Sequence, residues 1–427
     1  MQYFFILGNN LTLSFAELVS VLNLKQEQVL FLSEKAMIAD VREELDVQRM
    51  IRRLGGTIKI GVINGQSSII NLQLSIFNEQ IFNEANINGK FNFGISYYGP
   101  SFAKATEGKF NEKSLAMELK KALKEKGVNS RWVTSREEQL SSVVVEQNKL
   151  IGDKGIEIVI INDRKTNYIG KTLAVQPFKE LSKRDYGRPG RDDRSGMLPP
   201  KLAQIALTLT LSQRERGQSS PREFVLLDPF CGSGTILTEA MLMNALTPNP
   251  LFSKIIGCDK SEKAVSNTRE NFQFTISNFH SIFNKKISND QLKLFQCDVK
   301  NLSNKIKPNS IDAVVTEPYL GPSNIRRDRN SIEKVVKELE QLYHEAILEF
   351  EKALKSKGRV VMIWPVFRVD NGDIMLNTKN ILKHSSFEII NPLKDFDYKV
   401  LKLTNRNTII YGREGQKVWR EIVILEK

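Results

Sequence analysis

The sequence predicts an α/β protein: a C-terminal domain on a mostly parallel sheet, preceded by two smaller α/β units. Three observations lead there. From Glu223 onward, apolar strand segments alternate with helical stretches, the pattern of a parallel sheet covered on both faces. The first 64 residues run strand, helix, strand, strand, helix, strand, which is a ferredoxin-like order. The length of 427 residues suits two to three domains at about 150 residues each.

Composition narrows the class. Apolar residues are 41% and charged residues 26% of the chain, ordinary for a globular protein. No apolar run approaches the ~18–20 residues of a membrane helix. Met1–Leu7 lacks a basic start and a small-residue cleavage site, so the expectation is a cytoplasmic protein without a membrane segment. Cys231, Cys258 and Cys297 are too few and scattered for a disulfide framework. His280, His344 and His384 lie far apart, so no metal site is expected. The net charge is +13, and the excess falls in the middle and C-terminal parts. It suits a polyanion such as nucleic acid, though a basic balance alone is equally that of many proteins.

In the N-terminal 64 residues, Tyr3–Leu7, Val29–Leu32, Ala36–Val41 and Thr57–Ile63 read as strands. Ser14–Leu22 reads as a helix with Ser14 as N-cap and Glu17 completing a capping box. Asp46–Leu54 is a second helix, stopped by Gly55-Gly56. The second unit, residues 65–176, has strands at Phe91–Tyr98, Arg131–Val133, Glu157–Ile161 and Tyr168–Val175. Its helix Asn111–Lys126 sets Leu115, Met117, Leu119, Ala122 and Leu123 against a face of Lys113, Lys120, Lys121, Lys124 and Lys126. That face is either solvated surface or an RNA contact. Residues 177–197 form a linker rich in charge, Gly and Pro, a composition that resists a helix or central strand. Tyr186, Met197 and Leu198 are more than a solvated tether needs.

The C-terminal domain, residues 198–427, opens with a helix at Lys201–Leu211, and residues 212–222 read as an exposed loop. Strands follow at Phe224–Leu227, Lys254–Cys258, Lys293–Gln296, Ile311–Val315 and Arg359–Trp364. Asn407–Tyr411 and Val418–Leu425 form a closing β-hairpin, read as an antiparallel edge.

The first chemical signal is Val225-Leu-Leu-Asp228-Pro-Phe-Cys231-Gly232-Ser233-Gly234-Thr235. It reads as a strand, an acid, a glycine-rich turn and a helix, and glycines let the backbone approach a ligand. Asp259 ends the next strand, where an acid can accept both hydroxyls of a ribose. Asp298 ends the third and can accept from an adenine amino group. Ligands bind at that sheet edge. The absence of a Walker lysine and of Gly-x-Gly-x-x-Gly disfavours a triphosphate or dinucleotide. At the fourth strand end stands Thr316-Glu317-Pro318-Tyr319. A tyrosine beside a proline there can stack on a flat ring or pack under a loop.

These residues carry a resemblance. The pattern is similar to class I methyltransferases that methylate exocyclic amino groups of nucleobases from S-adenosyl-L-methionine. The whole chain resembles the THUMP-domain RNA methyltransferases, in particular the tRNA guanosine-10 N2-methyltransferase family. The matching stretches are Phe4–Leu22, Lys90–Tyr98, Tyr168–Leu207, Leu226–Glu239, Ile311–Pro322 and Trp419–Leu425. "SKRDYGRPGRDDRSGMLPPKLAQIALTL" is especially specific.

The resemblance implies a Rossmann-like class I methyltransferase domain preceded by a ferredoxin-like domain and a THUMP domain that grips tRNA. It implies a cofactor site of Asp228, Pro229, Cys231, Gly232, Gly234, Thr235, Asp259, Lys260, Asp298 and Val299. Met197–Pro200 would close over the cofactor, and Thr316, Glu317, Pro318 and Tyr319 would be catalytic. The implied partner is tRNA; a small activating protein and the oligomeric state stay open.

The catalytic stretch departs from the family's Asp/Asn-Pro-Pro-Tyr. A guanine amine is a poor nucleophile, and acceptors on its two hydrogens lower the barrier as charge develops. Here either the Thr316 hydroxyl and Glu317 carbonyl supply them, or the Glu317 carboxylate does. Arg326, Arg327 and Arg329 suit phosphate contacts, or are surface charge offset by Asp328 and Glu333. The base would be splayed from its helix to reach the pocket. Two further readings stay open: a DNA amino-methyltransferase, and an RNA-binding protein weakened in catalysis.

Overall fold

A computed structural model describes residues 1–68, 90–99, 111–191, 197–211, 223–247, 249–279, 291–322, 328–370 and 372–427. The loop 212–222, connector residues 192–196, His280, Arg326 and Arg327 lie outside the described residues. Among the described residues, no helix is long and apolar enough to cross a membrane.

The chain divides into two units. Met1–Leu11, Leu24–Arg52 and Thr57–Phe178 make the first; Thr12–Asn23, Arg53–Gly56 and Lys179–Lys427 make the second.

The first unit is built on one sheet of eight strands: β1 Gln2–Leu7, β2 Val29–Leu32, β3 Ala36–Asp40, β4 Thr57–Ser68, β5 Lys90–Tyr98, β6 Asn129–Val133, β7 Gly155–Asn162 and β8 Thr166–Val175. Their order is β2-β3-β1-β4-β8-β7-β5-β6. The first four stand in the antiparallel order of a ferredoxin-like sheet. The expected boundary at residue 64 falls inside β4, which pairs with β8 from Lys59 to Ser68. Both N-terminal segments therefore share a sheet.

Helix Glu112–Glu125 is capped by Asn111, which accepts from the Ser114 amide. It buries Leu115, Ala116, Leu119 and Leu123. Met117, expected on that apolar face, is 56% exposed, because it falls two positions from Leu115 and Leu119 on a 3.6-residue period.

In the second unit, helix α1, Leu11–Leu22, begins three residues before the expected cap. Ser14 and Glu17 are buried inside it, so they form no capping box. Glu17 instead accepts from the Gly55 and Gly56 amides at 2.8 Å each. Phe15 of the same helix packs edge-on against Phe396 and Tyr398.

The second sheet contains β9 Val225–Asp228, β10 Lys254–Asp259, β11 Leu292–Gln296, β12 Ile311–Thr316, β13 Leu354–Val369, β14 Gly372–Met375, β15 Glu388–Ile389, β16 Ile409–Tyr411 and β17 Val418–Glu426. The main order is β11-β10-β9-β12-β13-β17-β15. The pairs from β11 to β13 are parallel, and β17 is antiparallel to β13. The expected C-terminal hairpin forms an antiparallel end of the sheet: β17 lies between β13 on one side and β15 and β16 on the other, and among the described residues β16 pairs only with β17. Tyr343 and Trp364 lie wholly buried in the core of this unit.

The connector also differs from expectation. Phe178–Tyr186 is a helix, and its backbone belongs to the second unit from Lys179 onward. The helix breakers Gly187, Pro189 and Gly190 come only after it, so none of them interrupts it. Buried Arg184 holds it in place, meeting Glu239 with two hydrogen bonds of 2.7 and 3.2 Å.

Candidate active site

Strand order locates the site. The chain leaves β9 toward β10 and β11, then returns to the other side of β9 as β12. Neighbouring connections diverge there and open a crevice at the carboxyl ends of β9 and β12. A cavity of about 590 Å³ lies at that edge, a size that suits a nucleoside-type ligand.

Its wall gathers Asp228, Pro229, Cys231, Gly232, Thr235, Asp259, Lys260, Asp298 and Val299 with Glu317, Pro318 and Tyr319. Met197 and Leu198 also line it. Gly234 and Thr316 do not line it.

Gly234 shapes the turn instead. Its φ is +83°, and a Cβ there would stand 2.7 Å from Thr268 Cγ2, so glycine is required on both grounds. The turn is further held by Asn271, which donates to the Ser233 and Gly190 carbonyls at 2.8 Å and accepts from the Gly190 amide at 2.8 Å.

The acids are fixed before any ligand arrives. Asp259 accepts from the Gly232 amide at 3.1 Å and the Ser261 amide at 2.9 Å. These two bonds fix the orientation of its carboxylate at the cavity wall. Asp298 caps a short 3-10 helix, accepting from the Lys300 amide at 3.1 Å. Asp228 is buried and accepts from the Thr316 hydroxyl at 2.7 Å and the Phe230 amide at 3.3 Å. Burial pushes its carboxyl up to about 7, against the lowering effect of those two bonds. Burial likewise raises the Cys231 thiol well above its ordinary value, which makes it a packing group rather than a nucleophile.

At the β12 end, Thr316 is fully buried and its hydroxyl is donated to Asp228. Thr316, expected as an acceptor for substrate, does not line the cavity. Glu317 lines the cavity and its Oε1 accepts from Arg420 Nε at 2.6 Å. Tyr319 is 51% exposed, which leaves its ring face open for stacking. Its carbonyl accepts from buried Tyr343 at 2.9 Å, pinning the loop. Arg329 is paired with Glu333 at 2.9 Å on an exposed helix face. Sequence reasoning missed Tyr343 and Arg420, whose partners lie 24 and 103 residues away. It also missed Lys263 and Asn267, cavity-lining residues whose i,i+4 spacing on the helix Glu262–Phe279 was a usable signal.

Residues 191–369 match a family model described as UPF0020, RMKL-like, methyltransferase domain. The match covers less than half of the chain and likens these residues to a methyltransferase domain. Among curated proteins, the chain is 27% identical over 199 residues to a tRNA (guanine(10)-N2)-dimethyltransferase of Methanocaldococcus jannaschii, covering 45% of this chain and 46% of that protein. It is 29% identical over 215 residues to the protein of the same description from Methanothermobacter thermautotrophicus, covering 49% and 50%. The chain thus spans about half the length of the curated relatives it matches. The crystal structure of TrmN from Thermus thermophilus aligns over the whole of both chains with a TM-score of 0.52 at 15% identity, a likeness of fold. The fold is that of a Rossmann-like class I methyltransferase.

Proposed function

We propose that the protein transfers a methyl group from S-adenosyl-L-methionine to the exocyclic N2 amine of a guanosine in tRNA, in the cytoplasm. One observation carries this reading: three strand-end acids and the Glu317-Pro318-Tyr319 loop line one cavity. The methyltransferase domain match and the descriptions of the two archaeal relatives support it.

The cavity's donors and acceptors fit the cofactor. Asp259 would take the ribose, Asp298 with Val299 the adenine, and Asp228 with the turn 231–235 the methionine end. When bound, the cofactor supplies an electrophilic methyl group on a sulfonium. Tyr319 would stack on the flipped base and hold the amine in line with that methyl. Positioning of this kind is the main source of rate in such a transfer. Acceptors on the amine hydrogens come from the Glu317 side of the loop.

Residues 1–64 and 65–176 would be the ferredoxin-like and THUMP parts that hold tRNA, with 177–197 joining them to 198–427. The exposed lysines Lys113, Lys120, Lys121 and Lys124 support that reading.

The test is transfer of labelled methyl to unmodified tRNA, total RNA and DNA, with the product nucleoside identified by mass. N2-methyl- or N2,N2-dimethylguanosine, lost in Asp228→Ala, is the expected result. Transfer to DNA alone would replace this reading with the DNA one. Cofactor binding without transfer to any acceptor would favour an RNA-binding protein.

A further inference from the structure

We infer that the Glu317 carboxylate, held by Arg420, is the acceptor for the transferring amine, in place of the acid that Thr316 displaces. The inference rests on the methyltransferase reading proposed above.

Three observations carry it. Thr316 is fully buried, lies outside the cavity wall and gives its hydroxyl hydrogen to Asp228. Glu317, the next residue, lines the cavity, and its side chain is only 11% exposed. Arg420 reaches it from β17, where it pairs with Pro365 of β13, and donates through Nε at 2.6 Å. Successive strand side chains point to opposite faces. Glu421 accordingly pairs with Arg406, which leaves Arg420 for Glu317.

The contact through Nε to Oε1 fixes the carboxylate's position. A charge-assisted bond of this kind is short and directional. Desolvated Arg420 keeps its charge because Glu317 faces it, so its guanidinium is held above its ordinary value despite burial. Asp228 from β9 and Tyr343 from the long helix also face Glu317. Arg420 is the cation among these groups, and its guanidinium is the one that bonds the carboxylate.

In the step, the amine lone pair forms the N–C bond as the C–S electrons return to sulfur. The proton shed by nitrogen passes to the Glu317 carboxylate and then to solvent. Nitrogen bearing the new methyl is strongly acidic before it loses that proton, so a carboxylate is a sufficient acceptor. Glu317 is then a catalytic residue and Arg420 a positioning residue.

The experiment uses the full chain with S-adenosyl-L-methionine and unmodified tRNA, reading cofactor affinity, melting temperature and single-turnover rate from pH 5 to 9. Glu317→Gln should lose on the order of 10²-fold in rate with cofactor affinity within about 3-fold of wild type. Arg420→Gln should move the acid limb of the rate profile to higher pH, and Arg420→Lys should restore most of that shift. Wild-type rate in Glu317→Gln would overturn the inference and leave the methyltransferase reading standing. Equal losses in Arg420→Gln and Arg420→Lys with an unmoved pH profile would assign Arg420 a merely structural role. Wild-type protein that binds no S-adenosyl-L-methionine would overturn the methyltransferase reading and this inference together.

Discussion

The Thr316 hydroxyl donates to Asp228 Oδ1 at 2.7 Å, and this bond ties the fourth parallel strand's end to the acid that opens the glycine-rich turn. Both groups are buried. Thr316 therefore holds Asp228 and does not itself line the cavity. Thr316→Val is expected to lower stability by about 1–3 kcal/mol, the cost of leaving a buried acceptor short of a donor. It should also weaken cofactor binding most near neutral pH, where Asp228 then stays protonated more readily. Thermal melts and titration calorimetry at pH 6, 7 and 8 check this.

Asp228 predicts two pH dependences of opposite sign. Burial pushes its carboxyl up to about 7 in the fold, from an ordinary value of 3.8. The folded chain therefore holds a proton that the unfolded chain releases across that window. Its contribution to apo-protein stability is complete below about 3.8 and is lost as pH rises through 7. Affinity for the cationic cofactor should instead rise over pH 6–8 as the carboxylate forms. Asp228→Asn should flatten both trends, measured as differences from wild type.

Asp259→Ala should weaken cofactor binding on the order of 10²-fold, since it removes both a ligand acceptor and the clamp on the Gly232 and Ser261 amides. Equilibrium dialysis with labelled S-adenosyl-L-methionine reads this directly. A melting temperature within a few degrees of wild type would separate ligand loss from unfolding.

Glu17 joins α1 to the Gly55-Gly56 turn through two buried amide bonds. Glu17→Ala is expected to cost about 2–5 kcal/mol, because two buried amides lose their acceptor. Burial raises this carboxyl from 4.5 to about 7. Its pH-linked stability is thus fully present below 4.5 and fades as pH rises through 7. Urea unfolding at pH 5 and pH 8 tests the sign.

In the first unit, Lys59 and Glu157 form a wholly buried ion pair, with Ser96 and Thr172 donating to the carboxylate at 2.6 Å each. Lys59→Ala is expected to cost about 3–5 kcal/mol, since it strands a buried charge. Lys59→Met combined with Glu157→Leu should recover much of that loss. Denaturant unfolding of the single and double variants decides it.

The sequence by itself determined the parallel sheet, the glycine-rich turn and the acids at successive strand ends. Those features are local: periodicity and turn chemistry act over a few residues, and Asp228, Asp259 and Asp298 each follow directly on an apolar strand. Legibility ended where a side chain's role depends on a distant partner. Glu17 read as a capping residue until the Gly55-Gly56 turn was seen to fold onto it. Thr316 reads as one of two candidate sources of acceptors, and only the tertiary structure brings its hydroxyl to Asp228, 88 residues earlier. Which residue of the Thr316-Glu317 pair faces the cavity was decided only in three dimensions. β17 carries Arg420 across from 103 residues away, and a hydrogen bond between strands leaves no periodic trace in either one.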